Sequence, residues 1–351
     1  MINAPKYIQT DMKNQYFKKN RTHLLCILQL LTLILLSSCG SSEKKLVVTS
    51  FPIDEILEPT RIANLDSLPF IYSVAKIDDK YVFTCKGDYC FYVTDSQFNP
   101  LYPMAARGNG HEEWIAPLLM RQTVKENSVG LTYLWERGTS DLYKIELANS
   151  GKRVHCGDFP DSGLKGVSYL FDLKDGRYAG ATYEEDCQFF IYNKKDKQIE
   201  YKAHPEGLVP EAKDIRPSVL QTRSMMDNDM QRGVACCYFA YPVIVLRDMS
   251  GDIRRFIQIG EELPDYNANK ETKDFFVDVC VTSNRIYALH EGAEDSDESL
   301  VMVFDWDGNP IAKYHIGRSY AIAVDEDEHL MIAVHDSSSE GNEVVKYNLK
   351  D

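Results

Sequence analysis

The sequence predicts an all-β fold, a six-bladed β-propeller of four-stranded antiparallel blades, and three observations carry that prediction. Beyond residue 45 no segment keeps a helical period, while short runs of β-branched and aromatic residues bounded by Gly, Asn, Asp and Pro recur throughout the 351-residue chain. One strand that follows a polar turn returns six times: "KYVFTCK" from Lys80, "SVGLTYLWE" from Ser128, "RYAGATY" from Arg177, "RGVACCYFA" from Arg232, "RIYALHE" from Arg285 and "HLMIAVH" from His329. The copies lie 44 to 55 residues apart, the period of propeller blades and longer than most solenoid repeats. Each copy also has a strand before it and another after it, so the repeating unit is a meander.

In chain order, residues 1–38 read as a lipoprotein signal peptide. Lys13, Lys18, Lys19 and Arg21 form a basic region, and "LLCILQLLTLILL", Leu24 to Leu36, is an apolar run of 13 residues, long enough for a signal and short of the roughly 20 that span a bilayer. The run ends in Leu36-Ser37-Ser38-Cys39, which resembles a bacterial lipobox, with Cys39 as the lipidated new N-terminus. "MKNQYFKKN" from Met12 is the more conventional start of such a signal. Residues 39–45 are then the lipidated cysteine and a polar tether, and 46–351 a single propeller domain.

Within the propeller, first strands such as "FIYSVAKID" and "YAIAVDED" precede the repeating strand, third strands such as "CFYVTD" and "LVMVFDWDG" follow it, and a turn leads to a fourth. Asn149-Ser150-Gly151 and Asp307-Gly308-Asn309 supply residues that tolerate the positive φ of tight hairpins. The sixth unit stops at its third strand, "EVVKYNLK", and "KKLVVTSF", residues 44–51, is left without a partner. That N-terminal strand is expected to complete the last blade and close the ring, removing the open edges.

The chain carries 39 Lys and Arg against 53 Asp and Glu; loss of residues 1–38 removes five basic residues and one acidic, leaving 34 against 52, a formal charge of −18. Such a surface repels phosphate backbones and excludes nucleic acid as a partner. Membrane attachment is expected through the lipid on Cys39. Seven further cysteines, odd in number and irregular in spacing, form no disulfide framework or zinc motif. Cys85 and Cys90 flank "KGDY" in a hairpin and are a candidate disulfide; adjacent Cys236 and Cys237 point to opposite faces of one strand.

"LVMVFDWDGNPIAKYHIG", "AIAVDEDEHLMIAVHD" and "ARGNGHEEW" resemble the TolB-like six-bladed propeller lipoproteins of bacteria over most of the mature chain. The resemblance implies the fold and lipid anchoring and transfers no catalytic residue. It departs at Gly110-His111, where related sequences carry Gly-Pro.

A propeller gathers on one face the loops between second and third strands and those between blades. The candidate ligand face is therefore Arg107, His111, Glu112, Trp135, Glu136, Arg137, Glu184, Glu185, Tyr241, His290, Glu291, His335 and Asp336. Phosphate binding by Gly108-Asn109-Gly110 is disfavoured, because the dinucleotide motif needs a third glycine and a helix, whereas Pro117 leads here into a strand. His111, His290 and His335 suit a divalent metal only if three loops converge, and His-Glu-x-x-His fails at Ile115. "DSDES" at Asp295 and "DEDE" at Asp325 lack the full calcium-loop pattern and read as turns, and no Gly-x-Ser-x-Gly elbow occurs. No cofactor, metal or catalytic residue is assigned. The expected function is a lipid-anchored extracytoplasmic scaffold that binds a protein, peptide or glycan. The alternative is a carbohydrate- or lactone-directed hydrolase or lyase using the acidic and histidine residues of the loop face.

Overall fold

Alternation decides which side chains meet between blades: a strand buried on both faces sends odd and even residues to different neighbours. The computed structural model describes residues 45–350 except 111, 127–128, 159–166, 183–186, 212, 227–231, 269–270, 293–295 and 336–341. The expected signal peptide and Cys39 lie outside the described residues. Three short strands come first, β1 (Lys45–Val48), β2 (Ile53–Ile56) and β3 (Pro59–Asn64). Blade 1 is β4 (Phe70–Ile77), β5 (Lys80–Lys86), β6 (Tyr89–Thr94) and β7 (Pro100–Ala106), and blade 2 is β8 (Pro117–Glu126), β9 (Val129–Glu136), β10 (Asp141–Glu146) and β11 (Lys152–Asp158). Blade 3 is β12 (Val167–Asp172), β13 (Arg177–Thr182), β14 (Phe189–Asn193) and β15 (Gln198–Lys202), and blade 4 is β16 (Thr222–Met226), β17 (Val234–Tyr238), β18 (Val243–Arg247) and β19 (Ile253–Ile259). Blade 5 is β20 (Phe276–Val281), β21 (Arg285–His290), β22 (Glu298–Asp305) and β23 (Pro310–Gly317), and blade 6 is β24 (Ser319–Asp325), β25 (Leu330–His335) and β26 (Glu343–Asn348).

The fold is the predicted six-bladed propeller. First strands of neighbouring blades adjoin around the axis, and β24 adjoins β4, which closes the ring. On β17 and β18, Val234, Cys236, Val243 and Val245 pack toward blade 3, whereas Ala235, Cys237, Ile244 and Leu246 pack toward blade 5. Cys236 and Cys237 thus face opposite ways, as their adjacency requires. Such interblade burial is the main stabilising term, about 1.5–3 kcal/mol for each large aliphatic side chain. Between third and fourth strands, Asp95 and Asp305 repeat one turn device: Oδ1 of Asp95 accepts from Gln97 N (2.8 Å) and Asn99 N (2.9 Å), and Oδ1 of Asp305 from Asp307 N (2.9 Å) and Asn309 N (2.8 Å).

An N-terminal strand does close the ring, but it is β3 and not residues 44–51. β3 runs antiparallel to β26, with Ile62 opposite Val345, as the fourth strand of blade 6. β1 instead lies parallel to β19, with Val48 opposite Ile259, and β2 parallel to β23, so blades 4 and 5 each have five strands. The reason is packing: Val48 is buried in the cluster between blades 4 and 5. β3 escaped the sequence reading because an outer strand exposed on both faces has no alternation; Ile62 is 58% exposed.

Cys85 and Cys90 are free thiols. Cys85 packs with Ile71 and Phe83 in the cluster shared with blade 6, and Cys90 with Phe91 and Val93 in the cluster shared with blade 2. They face different interfaces, not each other. Burial pushes the Cys85 thiol up to about 12.

Candidate functional site

Glu136, His290 and His335 hold the same place in three blades, the last residue of the second strand. Equivalent places around a ring need not converge, and each side chain is engaged locally. Glu136 is 4% exposed, and its carboxylate accepts from the backbone N–H groups of Ile115 (2.9 Å), Ala116 (2.8 Å) and Gly138 (2.9 Å). It supplies acceptors to a loop crossing between blades, where backbone donors lack ladder partners. His290 Nδ1 accepts from Gly292 N (2.9 Å), and its ring meets Phe275 edge-on at 4.3 Å. His335 bonds Tyr347 through Nε2 (2.9 Å) and pairs with Glu343 through Nδ1 (3.3 Å). Burial pushes both imidazoles below their usual value against the opposing pull of Glu291 and Glu343, so both are neutral at pH 7.

The glycine loop has its own anion. Gly110 N donates to Glu113 Oε2 (2.7 Å), and a Cβ on Gly108 would fall 1.9 Å from that oxygen. Glycine suits that position because its φ is +154°, and Glu113 folds back under the loop beside it. Arg107 donates through Nε to Gly87 O (2.9 Å) and through a terminal nitrogen to Cys85 O (3.1 Å), which pins the β5–β6 turn, and it also bonds the Tyr72 phenol. Arg137 Nε reaches Ala116 O (3.2 Å), Glu291 pairs with Arg318 (2.9 Å), and Glu112 is exposed. Trp135 and Tyr241, expected at the surface, are core residues at 6% and 4% exposure; Tyr241 packs edge-on against Tyr266 at 5.0 Å. Exposed aromatics of this face among the described residues include Tyr72, Tyr89, and Phe70 stacked on Tyr320 at 5.9 Å. His111, Glu184, Glu185 and Asp336 lie outside the described residues.

At the opposite end, the face of the first-to-second-strand turns, the chain does converge. A cavity of about 410 Å³ opens there, lined by β4, β8, β16, β20 and β24 together with Lys174 from the turn of blade 3. Arg121 on β8 crosses to blade 5, which stands opposite blade 2 in the ring. One terminal nitrogen meets Asp278 Oδ1 at 2.5 Å and the other meets Ile322 O at 2.9 Å. Asp278 also accepts from the backbone N–H groups of Val279 (2.8 Å) and Ile322 (2.9 Å). Burial opposes the Arg121 charge, but Asp278 outweighs it and keeps the guanidinium ionised. This tie crosses between opposite blades, and its buried Arg121 forms the inner wall of the cavity.

Closer to the mouth, Lys76 pairs with the buried carboxylate of Asp325, its ammonium 5.6 Å from the centre of the Tyr81 ring. Glu326 accepts from Ser283 N (2.9 Å), Ser283 Oγ (2.7 Å) and Asn284 Nδ2 (3.0 Å). Burial works against that carboxylate, yet these donors hold it below its usual range. The sequence reading put Asp325 to Glu328 in a solvated hairpin; Asp325 and Glu326 stand in the cavity wall, with Asp327 exposed beside them. The missed signal was charge at the inner strands: Lys76, Arg121, Asp278 and Asp325 interrupt otherwise apolar segments. Among the described residues no group of three or more His, Cys, Asp or Glu is placed to hold a metal ion.

A sequence model of the TolB-like six-bladed propeller family matches residues 59–327. No curated protein matches the chain. Among solved structures, a member of the DUF4221 family from Bacteroides vulgatus is 12% identical with a TM-score of 0.60, covering 84% of this chain and 97% of its own. A Bacteroides fragilis protein described as a candidate exported protein is 11% identical with a TM-score of 0.56, covering 88% of this chain and 100% of its own. At these identities the likeness concerns the fold.

Proposed function

The chain belongs to the TolB-like six-bladed propeller family, and we propose that it is an exported, lipid-tethered binding protein whose small-molecule ligand enters the axial cavity at the turn face. The observation that carries this reading is the cavity of about 410 Å³, lined by first strands from five blades, where Lys76, Arg121 and Asp325 meet charged residues of the adjoining turns. Export is supported by the signal-like residues 1–38 and by the description of the Bacteroides fragilis neighbour. Lipid anchoring rests on Leu36-Ser37-Ser38-Cys39; a Cys39→Ala variant is expected to leave the membrane fraction, and one that stays bound refutes the tether. Binding is tested by thermal shift and calorimetry of the folded propeller against small polar compounds of every charge class, beside a Met225→Trp variant that narrows the cavity. A compound that stabilises the wild type and not the variant supports the site; no hit in any class refutes it.

The hydrolase or lyase reading gains no support from the geometry. The Glu136 carboxylate is committed to three backbone donors, and His290 and His335 are engaged within separate blades.

A further inference from the structure

We propose that the ligand of this cavity is a small organic cation that also carries a hydroxyl or carbonyl oxygen, such as an amino alcohol or amino sugar; this rests on the binding reading above. The charge of the wall favours it. Lys76, Arg121 and Lys174 line the cavity against Asp78, Asp325, Glu326 and Asp327, and Asp278 stands behind Arg121. The deep groups cancel: Lys76 pairs with Asp325, and Arg121 with Asp278. What remains near the opening is Lys174 against Asp78, Glu326 and Asp327, an excess of two negative charges. The partners of Glu326 are Ser283, Asn284 and Thr282, uncharged donors that hold the carboxylate without neutralising it. Charge of one sign in a recess with low-dielectric walls concentrates ligands of the other sign.

The second observation lies at the inner end. Arg121 lines the cavity, its side chain is nine-tenths buried, and its Nε–H has no acceptor among the described residues. A buried donor without an acceptor is costly, so a ligand oxygen that reaches it as the Arg121 side chain adjusts offsets a penalty that the protein otherwise carries. That oxygen is better uncharged, because Asp278 already balances the guanidinium and a second carboxylate would repel it. The ligand is thus polar and neutral inside, cationic outside. The wall offers no set of three metal-ligating side chains among the described residues, which favours an organic cation over a bare divalent ion.

The test uses three size-matched probes, glucosamine below neutral pH, glucose and glucuronate, together with ethanolamine as a minimal amino alcohol. Calorimetry is run on the wild type, on Asp78→Asn, on Asp327→Asn and on the exposed turn variant Asp196→Asn. Both cavity positions are exposed, so the asparagine forms are expected to fold normally. The expected order is glucosamine, then glucose, then glucuronate, with roughly threefold weaker cation binding for each carboxylate removed near the mouth, a loss that shrinks with added salt. Asp196→Asn is expected to leave affinity unchanged. Glucose or glucuronate binding as tightly as glucosamine, or cation affinity unmoved in both cavity variants, overturns the charge inference and leaves a binding cavity in place. If none of the four probes binds while another compound stabilises the wild type and not Met225→Trp, the inference falls alone. Absence of binding by every compound removes both readings.

Discussion

The two mouths of the axial channel differ in what their residues are for. At the loop face, residues of chemically promising type are engaged by near neighbours: Glu136 by three backbone amides, His335 by Tyr347, Glu113 by Gly110. At the turn face, residues from first strands meet, and the Arg121–Asp278 tie spans opposite blades. The difference is geometric. First strands are the innermost of each blade, so their ends are close together; second-strand ends lie one strand further out. In a propeller, distance from the axis decides whether side chains converge, and residue type decides only what they do once there.

The largest expected effect separates the two mouths by stability. Replacing Asp278 with Ala leaves Arg121 buried without its counter-charge and is expected to cost about 3–5 kcal/mol, read as a lowered urea midpoint. Glu112→Ala on the loop face, an exposed change, is expected to stay within about 0.5 kcal/mol. Equal losses would mean that the tie does not hold the axis together. A smaller effect tests whether Glu136 is a loop acceptor. Glu136→Ala is expected to cost about 1–3 kcal/mol by removing the acceptor of three part-buried backbone donors and to speed hydrogen exchange at Ile115, Ala116 and Gly138. Unchanged exchange at those amides would return Glu136 to the list of available carboxylates.

The subtlest difference is in pH. The folded pKa values of His290 and His335 are depressed, so below the ordinary 6.5 the unfolded chain takes up protons that the folded one refuses. Their stabilising contribution is full above 6.5 and is lost as pH falls through it. Glu326 is also depressed, but from 4.5, so its contribution is full above 4.5 and disappears only as pH falls below that value. Urea midpoints measured down the pH scale are expected to fall first in the histidine window and later in the carboxylate window. A His290→Asn, His335→Gln variant should lose the first fall alone; if the first fall persists, other groups cause it.

Much of the fold was legible because buried strands advertise themselves: the second strands are near-continuous apolar runs buried on both faces, and their sixfold return sets the blade number. Pro59–Asn64 was not legible, since an outer edge exposed on both faces carries no period. The site was harder for a different reason. Chemistry and adjacency to turns place Trp135 and Tyr241 at the surface, yet the register of β9 turns Trp135 inward, and Tyr241, in the turn between β17 and β18, packs against Tyr238 and Tyr266. The cavity needed knowledge of which strand is innermost and how opposite blades align, and Arg121 and Asp278 are 157 residues apart. No local motif encodes such a pair.

The order of pairing along the chain has a consequence for delivery. Residues 45–64 come early, yet their strand partners are β19, β23 and, for closure, β26. A chain that emerges from its N-terminus first must keep that segment unspent until residues 253–259, 310–317 and 343–348 have arrived. Closure therefore waits for nearly the whole polypeptide, and the long-range pairings it requires are the slow kind. The polar, weakly patterned character of β2 and β3 fits that wait: a segment that must stay idle is safest when it has little hydrophobic surface to commit early.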